Sequence, residues 1–573
     1  MNRLRKLYLI GFLTVLLAVL LPIPVLSQEI RTAHEESNFE NYTSFEEMWD
    51  FLQKVQASST EMLLSDFGST IEGRRQPYAV LSRPLITQPW EANASGKPIV
   101  LLAANVHGGE RTVRESLLML TRDLAAEGTD ENYLLDDVVV IIAPSINCDG
   151  FVRATRGNSR GIDMNRDYIK LEQPALSNFV QNLWLKWQPH IELDGHNGGS
   201  YPYNICYQGP AHAASDQRLT ELCDQDIFPF VDKQMERQGY KSWYYSGGDR
   251  QAWRTGLTDA RVNNVYGGFI NCISILYESP GGQDRQIGAK SGYVACRALL
   301  EYAAENKDKL MECIDRARRE TIELGQKAAG DIAIAVEKGP QDYKVSYLIA
   351  EGRGEERKII EVTDALLMSM PIVTKSRPRP YAYILEPRAV KAIELLHKHD
   401  ILIEVLQEDT ELDIEAYKVT NIDYASQYDH PASVAVTCED DTLKESRTFP
   451  KGSFIVRTGQ VQGRLVTHML EPETNDNVIT WNSMDALLPR VPGAGGGRGM
   501  PDPTIMAGRA RFADPNQIAA MFQRAGGGRA GGRTDPEMAQ RMRQFTQRQP
   551  REAIIPIFKV MTPIPLPTRI LKD

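Results

Sequence analysis

Four apolar runs constrain the fold of this chain more than any other feature. They are Ile99 to Val106 (broken only by Asn105), Val138 to Ala143, the shorter Ile191-Glu192-Leu193, and Ile270 to Tyr277. Runs of this kind without alternation predict strands buried on both faces, as in a parallel or mixed sheet. Helical patterns lie between them. Val113, Leu117, Leu120 and Leu124 are spaced for one helix face, with Gly128 as a stop, and residues 175–187 form another such stretch. Strands alternating with helices imply an α/β domain whose helices cover the sheet. Each run ends in polar residues: His107-Gly108-Gly109-Glu110, Asn147 to Arg153, Asp194-Gly195-His196, and Glu278-Ser279-Pro280. Ligand sites in open α/β sheets form beyond the carboxyl ends of strands. A site along that one edge is therefore expected.

The rest of the chain is organised around this domain. At 573 residues it exceeds one typical core, so two or three domains are expected. Arg3, Arg5 and Lys6 precede an apolar run from Leu7 to Leu21, ended by Pro22 and Pro24, with Val25-Leu26-Ser27 where a signal peptidase would cut. Residues 1–27 thus read as a cleaved export signal, directing the protein to the periplasm or the medium with no stable membrane insertion afterwards. The rival is an uncleaved anchor, for which the run is short. Catalytic sequence is expected over 28–327, closed by a helix at 297–327. An accessory α+β or β-rich domain follows over 328–489, with strands at 344–350, 381–385, 401–406 and 452–458 around a helix at 387–399. Residues 490–551 hold Gly-rich patches and eleven Arg against four acidic residues, and are expected to be a disordered insertion. Ile554 to Val560 predicts a last strand, within 552–573, returning to the accessory domain. Seven cysteines, none at zinc-knuckle spacing, predict one disulfide at most.

With 65 basic against 75 acidic residues, the charge argues against nucleic acid as the main partner. The Arg- and Gly-rich segment reads as a solvated insertion rather than an RNA-binding one. Oligomeric state is left open.

His107-x-x-Glu110 is weak alone, but Gly108 and Gly109 permit a sharp turn that lets both side chains converge. Zinc in hydrolases commonly takes two His and one Glu and leaves a position open. His196, at another strand end, supplies the missing nitrogen; spacing alone does not separate it from His212. Asp194 is equally a support for a ligand or a polar strand end. Glu278 closes an apolar strand, where it is either emerging into solvent or poised as a general base. Between the ligand strands, Arg153 to Asp167 packs four arginines into a loop suited to an anionic substrate.

The ordered set of His107-x-x-Glu110, Asn147-Cys148-Asp149-Gly150, Arg153-x-x-Arg156, Gly161-Ile162-Asp163-Met164-Asn165-Arg166, His196 and Glu278 resembles the zinc metallocarboxypeptidases related to carboxypeptidase A, over roughly residues 40–320. The resemblance implies a mixed, mostly parallel sheet with helices on both faces. It implies one Zn2+ on His107, Glu110 and His196, Arg153 polarising the scissile carbonyl, Asn165 and Arg166 gripping the terminal carboxylate of a peptide with Arg156 assisting, and Glu278 as general base. The family's substrate-capping tyrosine has no clear match; Tyr266 is the candidate, with Tyr244 and Tyr245 as rivals. The pocket region between about 200 and 270 does not align with the digestive enzymes. The accessory domain, with Leu470-Glu471-Pro472, is similar to those trailing the catalytic domain in large secreted bacterial members. The expected activity is zinc-dependent removal of C-terminal residues from peptides. A zinc amidohydrolase of similar fold acting on cell-wall peptides or N-acyl amino acids, and a peptide-binding protein without activity, are the alternatives.

Overall fold

In a computed structural model of the chain, residues 30–352, 354–489 and 553–572 are described. The expected export signal and the Gly- and Arg-rich insertion both fall outside them. Among the described residues the strands form three sheets. The first has eight strands in the order β1-β2-β4-β3-β5-β10-β6-β7: β1 (Met62–Ser69), β2 (Arg75–Leu81), β3 (Ile99–Ala104), β4 (Val139–Ala143), β5 (Ile191–Gly199), β6 (Ile205–Gln208), β7 (Ser242–Tyr244) and β10 (Ile273–Pro280). The four apolar runs are its centre. β4, β3, β5 and β10 lie side by side and pair in parallel, flanked by antiparallel β2 and β6.

Their lack of alternation has a direct cause. Val100, Leu102 and Ala104 of β3 pack in one core, Ile99, Leu101 and Ala103 in another, so both faces are covered. On one face the helix Thr112–Ala125 buries Val113, Leu117, Leu120 and Leu124. It packs against the helix Arg285–Glu305, where a Cβ on Gly292 would stand 2.4 Å from Ser116 Oγ. On the other face lie Phe179, Trp184 and the helix Asn263–Phe269. The single closing helix expected at 297–327 is instead two, Arg285–Glu305 and Lys307–Gln326, divided at Asn306, which leaves helical geometry at φ −119°.

The C-terminal region is β-rich, as expected, and adds a long hairpin of which only a part was expected. β11 (Asp331–Glu351) and β12 (Lys358–Pro378) form one long hairpin. It joins β9 (Ala252–Thr255) and β8 (Ser246–Gly248) in a second sheet, with β12 parallel to β9. Its first half was legible only as the run 344–350, because much of the hairpin faces solvent and alternates weakly. The third sheet is β16-β15-β18-β13-β17-β14-β19. It comprises β13 (Ala382–Leu385), β14 (Glu404–Leu406), β15 (Thr410–Gln427), β16 (His430–Phe449), β17 (Phe454–Arg457), β18 (Ile554–Val560) and β19 (Thr568–Ile570). The last predicted strand, β18, lies between β15 and β13. Tyr383, Leu396, Leu465 and Ile479 of this region share a core with Leu101, Trp184 and Tyr266. The two parts are therefore packed together rather than tethered. All seven cysteines are free thiols, and no helix among the described residues is long and apolar enough to cross a membrane.

Candidate active site

The turn after β3 is set by two close approaches. A Cβ on Gly108 would stand 1.9 Å from the backbone carbon of Gly150, so only glycine fits. Asn105, at φ 63°, donates its amide to the carbonyls of His107 (2.9 Å), Gly108 (3.1 Å) and Glu110 (2.8 Å), while Ser145 donates to its Oδ1. The one polar residue in the apolar run is the clamp that shapes the ligand turn. Gly108→Ala is expected to destabilise the fold by about 3 kcal/mol or more, since backbone faces the new methyl and gives least. Thermal unfolding measures it; an unchanged midpoint would show that the turn relaxes.

His107, Glu110 and His196 meet at one point, with one ligand atom of each within 4.8 Å of the others. His107 Nδ1 lies 2.9 Å from Glu110 Oε1 and 3.0 Å from His196 Nδ1, and His196 Nδ1 lies 2.8 Å from Glu110 Oε2. Donors on a tetrahedral zinc with bonds of about 2.0–2.1 Å stand roughly 3.3 Å apart; this cluster, at 2.8–3.0 Å, is a few tenths of an ångström tighter. The far nitrogens are engaged too. His107 Nε2 bonds Asp163 Oδ1 at 2.9 Å and His196 Nε2 bonds Asp194 Oδ2 at 2.7 Å. Carboxylates there hold the protons on Nε2 and turn the Nδ1 lone pairs to the cluster. Charge agrees with geometry. Burial pushes Glu110 up, yet the His196 and His107 rings hold it well below the usual carboxylate range. Burial likewise opposes charge on His196, yet Asp194 and Glu110 raise its proton affinity well above ordinary. These residues are arranged so that they could hold a cation, and the donor set fits zinc. Asp194 is thereby a support for His196. Asp163, which had no assigned role, supports His107; its only sequence signal was its place in the Gly161 to Arg166 motif. His212 is elsewhere, buried against Phe269 and His468.

Glu278 pairs in register with His196 across β10 and β5. It is 7% exposed, its Oε2 has no hydrogen-bond partner, and burial pushes its carboxyl up to about 7 against the pull of His196. A Cβ on Gly198 would come within 2.8 Å of that oxygen, so glycine keeps the space open. Glu278, the three ligands, Arg156, Asn165, Arg166 and Tyr245 line one cavity of about 480 Å³.

Two expected residues are not there. Arg153 pairs with Glu72 at the β1–β2 turn and does not line the cavity. Arg156 takes the position: its Nη1 lies 3.3 Å from both His107 Nδ1 and Glu110 Oε1, and its Nε and Nη2 bond Asp163 at 3.0 and 2.9 Å. The cause is local. The helix Cys148–Arg153 ends at Arg153, and Ala154 at φ 54° turns the chain, so residues three apart no longer share a face. Tyr266 is fully buried, its hydroxyl bonded to His399 Nδ1 at 3.0 Å. Tyr245, a rival for the capping role, is the tyrosine on the cavity.

Residues 48–204 match the family model described as zinc carboxypeptidase, a span that holds all three ligand positions. Over that span the chain carries a zinc carboxypeptidase-like domain, the kind found in metallopeptidases. Among similar proteins is carboxypeptidase 2 of Trichophyton rubrum, 26% identical over 471 residues, covering 77% of this chain and 84% of that one. That share exceeds what precedes β11, so the likeness enters the C-terminal region. Human carboxypeptidase D is 27% identical over 305 residues, 42% of this chain and 22% of that one. Solved structures that match include a metallo-carboxypeptidase from Burkholderia cenocepacia, at TM-score 0.37 and 22% identity over 46% of this chain and 69% of that one. One from Pseudomonas aeruginosa matches at TM-score 0.38 and 18% identity over 47% and 70%.

Proposed function

We infer that this chain is an exported carboxypeptidase that releases single residues from peptides with a free C-terminal carboxylate, using Glu278 as its general base. The observation that carries this reading is one cavity holding a buried carboxylate without a partner, a cation centre, and a guanidinium pair. Zinc on His107, Glu110 and His196 would supply a Lewis acid for the scissile carbonyl and bring the pKa of a water to about 7. Glu278 accepts the proton of the attacking water and returns it to the leaving amine. Arg156, aimed at the cluster and braced by Asp163, is suited to the oxygen on which negative charge develops. Asn165 and Arg166 bind the terminal carboxylate. Asn165 is held for this, its Oδ1 accepting the N–H of Asn263 at 3.0 Å. Export is supported by the basic start and apolar run at the head of the sequence.

Beyond the three ligand residues, Glu278, Arg156 and Arg166, the cavity is lined by residues such as Gln208, Thr255, Leu257, Val262, Asn264 and Leu276. None of these carries a charge, so neutral C-terminal residues should be preferred over Lys, Arg, Asp and Glu. The deciding experiment compares free and C-terminally amidated peptides, with release read by mass spectrometry. Amidation and Arg166→Ala should each lower kcat/KM by about 30-fold or more, because truncating one partner of a desolvated charge pair costs about 2–5 kcal/mol. The two losses should overlap when combined. Equal cleavage of free and amidated peptides would end the carboxypeptidase reading and leave the amidohydrolase one.

A further inference from the structure

A hairpin of the C-terminal region reaches Asp163, beside the cavity. β15 and β16 stay paired to Gln427 and His430, which leaves Tyr428 and Asp429 as the turn at the tip, Asp429 at φ 58°. Asp429 Oδ2 accepts the backbone N–H of Asp163 at 2.6 Å, a contact between residues 266 apart in sequence. Asp163 is the carboxylate that braces both His107 and Arg156. The Tyr428 hydroxyl lies near the Arg156 side chain and favours its charge.

The tip is fixed from behind. His430 Nε2 lies 2.7 Å from Asn482 Oδ1, and its ring meets Trp481 edge to face at 4.9 Å. Lys170 stands 4.9 Å over the same indole. The side chain of Arg156 is about half exposed, and a long side chain held by Asp163 alone keeps rotamer freedom that must be lost on reaching the transition state. Contacts on both sides remove that cost beforehand.

We propose that Tyr428 and Asp429 are positioning residues for Arg156, so that the active site is completed by the hairpin tip of the C-terminal region. This rests on the oxyanion role given to Arg156 above. The full-length zinc-loaded enzyme tests it through Asp429→Ala, Asp429→Asn and Tyr428→Phe, each alone and with Arg156→Ala. Alone, Asp429→Ala and Tyr428→Phe should lower kcat by about tenfold with KM within about twofold, and zinc content and unfolding temperature should hold. Asp429→Asn should retain most activity, because its amide oxygen still accepts the Asp163 N–H. A phosphonate analogue of the peptide, titrated by calorimetry, should bind Asp429→Ala about tenfold more weakly. With Arg156→Ala, the tip substitutions should change kcat by less than about twofold, since residues acting through one another are not additive. Equal losses in both backgrounds, a loss confined to KM or unfolding temperature, or no loss at all would overturn the positioning role. If Arg156→Ala alone leaves kcat near wild type, the oxyanion reading falls and this inference with it. If Arg156→Ala is severe and the tip variants are silent, only the inference falls.

Discussion

Glu278→Gln is expected to lower kcat/KM by about 10²–10⁴-fold while zinc content stays that of the wild type. The amide is isosteric, so the cavity keeps its shape, but it accepts no proton at neutral pH. His107→Ala and His196→Ala should instead lose most of the metal together with the activity, because ligands hold the ion and the base only moves protons. Metal analysis beside steady-state rates separates the two classes. The pH profile adds a second check with a definite sign. The base works ionised, so kcat/KM should fall as pH drops through its pKa. Burial pushes that carboxyl up to about 7, and a cation on the cluster draws it lower, so the acid limb lies at or below about 7. Glu278→Gln should abolish that limb in the residual activity. A Glu278→Gln enzyme at near wild-type rate would remove the proposed mechanism.

Arg156→Ala is expected to cost about 10²–10³-fold in kcat, the range for removing one donor to a developing oxyanion, whereas Arg153→Ala should stay within about twofold. Arg156 touches the ligand cluster and Arg153 touches Glu72, which does not line the cavity. Arg156→Lys should recover only part of the loss. An ammonium places one charge but does not reproduce the fork that grips Asp163 through Nε and Nη2 while Nη1 faces the cluster. Comparable losses for Arg153→Ala and Arg156→Ala would reopen the assignment that the family resemblance implied.

That pair of arginines shows where sequence reasoning stopped. Arg153 and Arg156 sit in one motif, and their spacing alone puts either at the substrate. The left-handed Ala154 between them decides it, and nothing in the string marks that residue. Tyr266 failed for a different reason. Its partner, His399, is 133 residues away, so its burial depends on how the C-terminal region packs. Asp163 and Asp194 lay in view inside quoted segments, but a carboxylate that braces a histidine looks like any polar residue at the end of a strand until the ring is placed beside it.

What the sequence determined by itself is the central parallel sheet and the strand ends that carry His107, Glu110, His196 and Glu278. Each of these is written locally, because a strand buried on both faces must be continuously apolar, and the residue that ends the run stands at the sheet edge whatever surrounds it. Only the tertiary structure decided which arginine faces the cluster, which tyrosine reaches the cavity, and that a hairpin from beyond residue 400 closes on Asp163. The first turns on the left-handed Ala154, and the other two on contacts between residues 133 and 266 positions apart, formed by packing between faces that carry no periodic signal of their own.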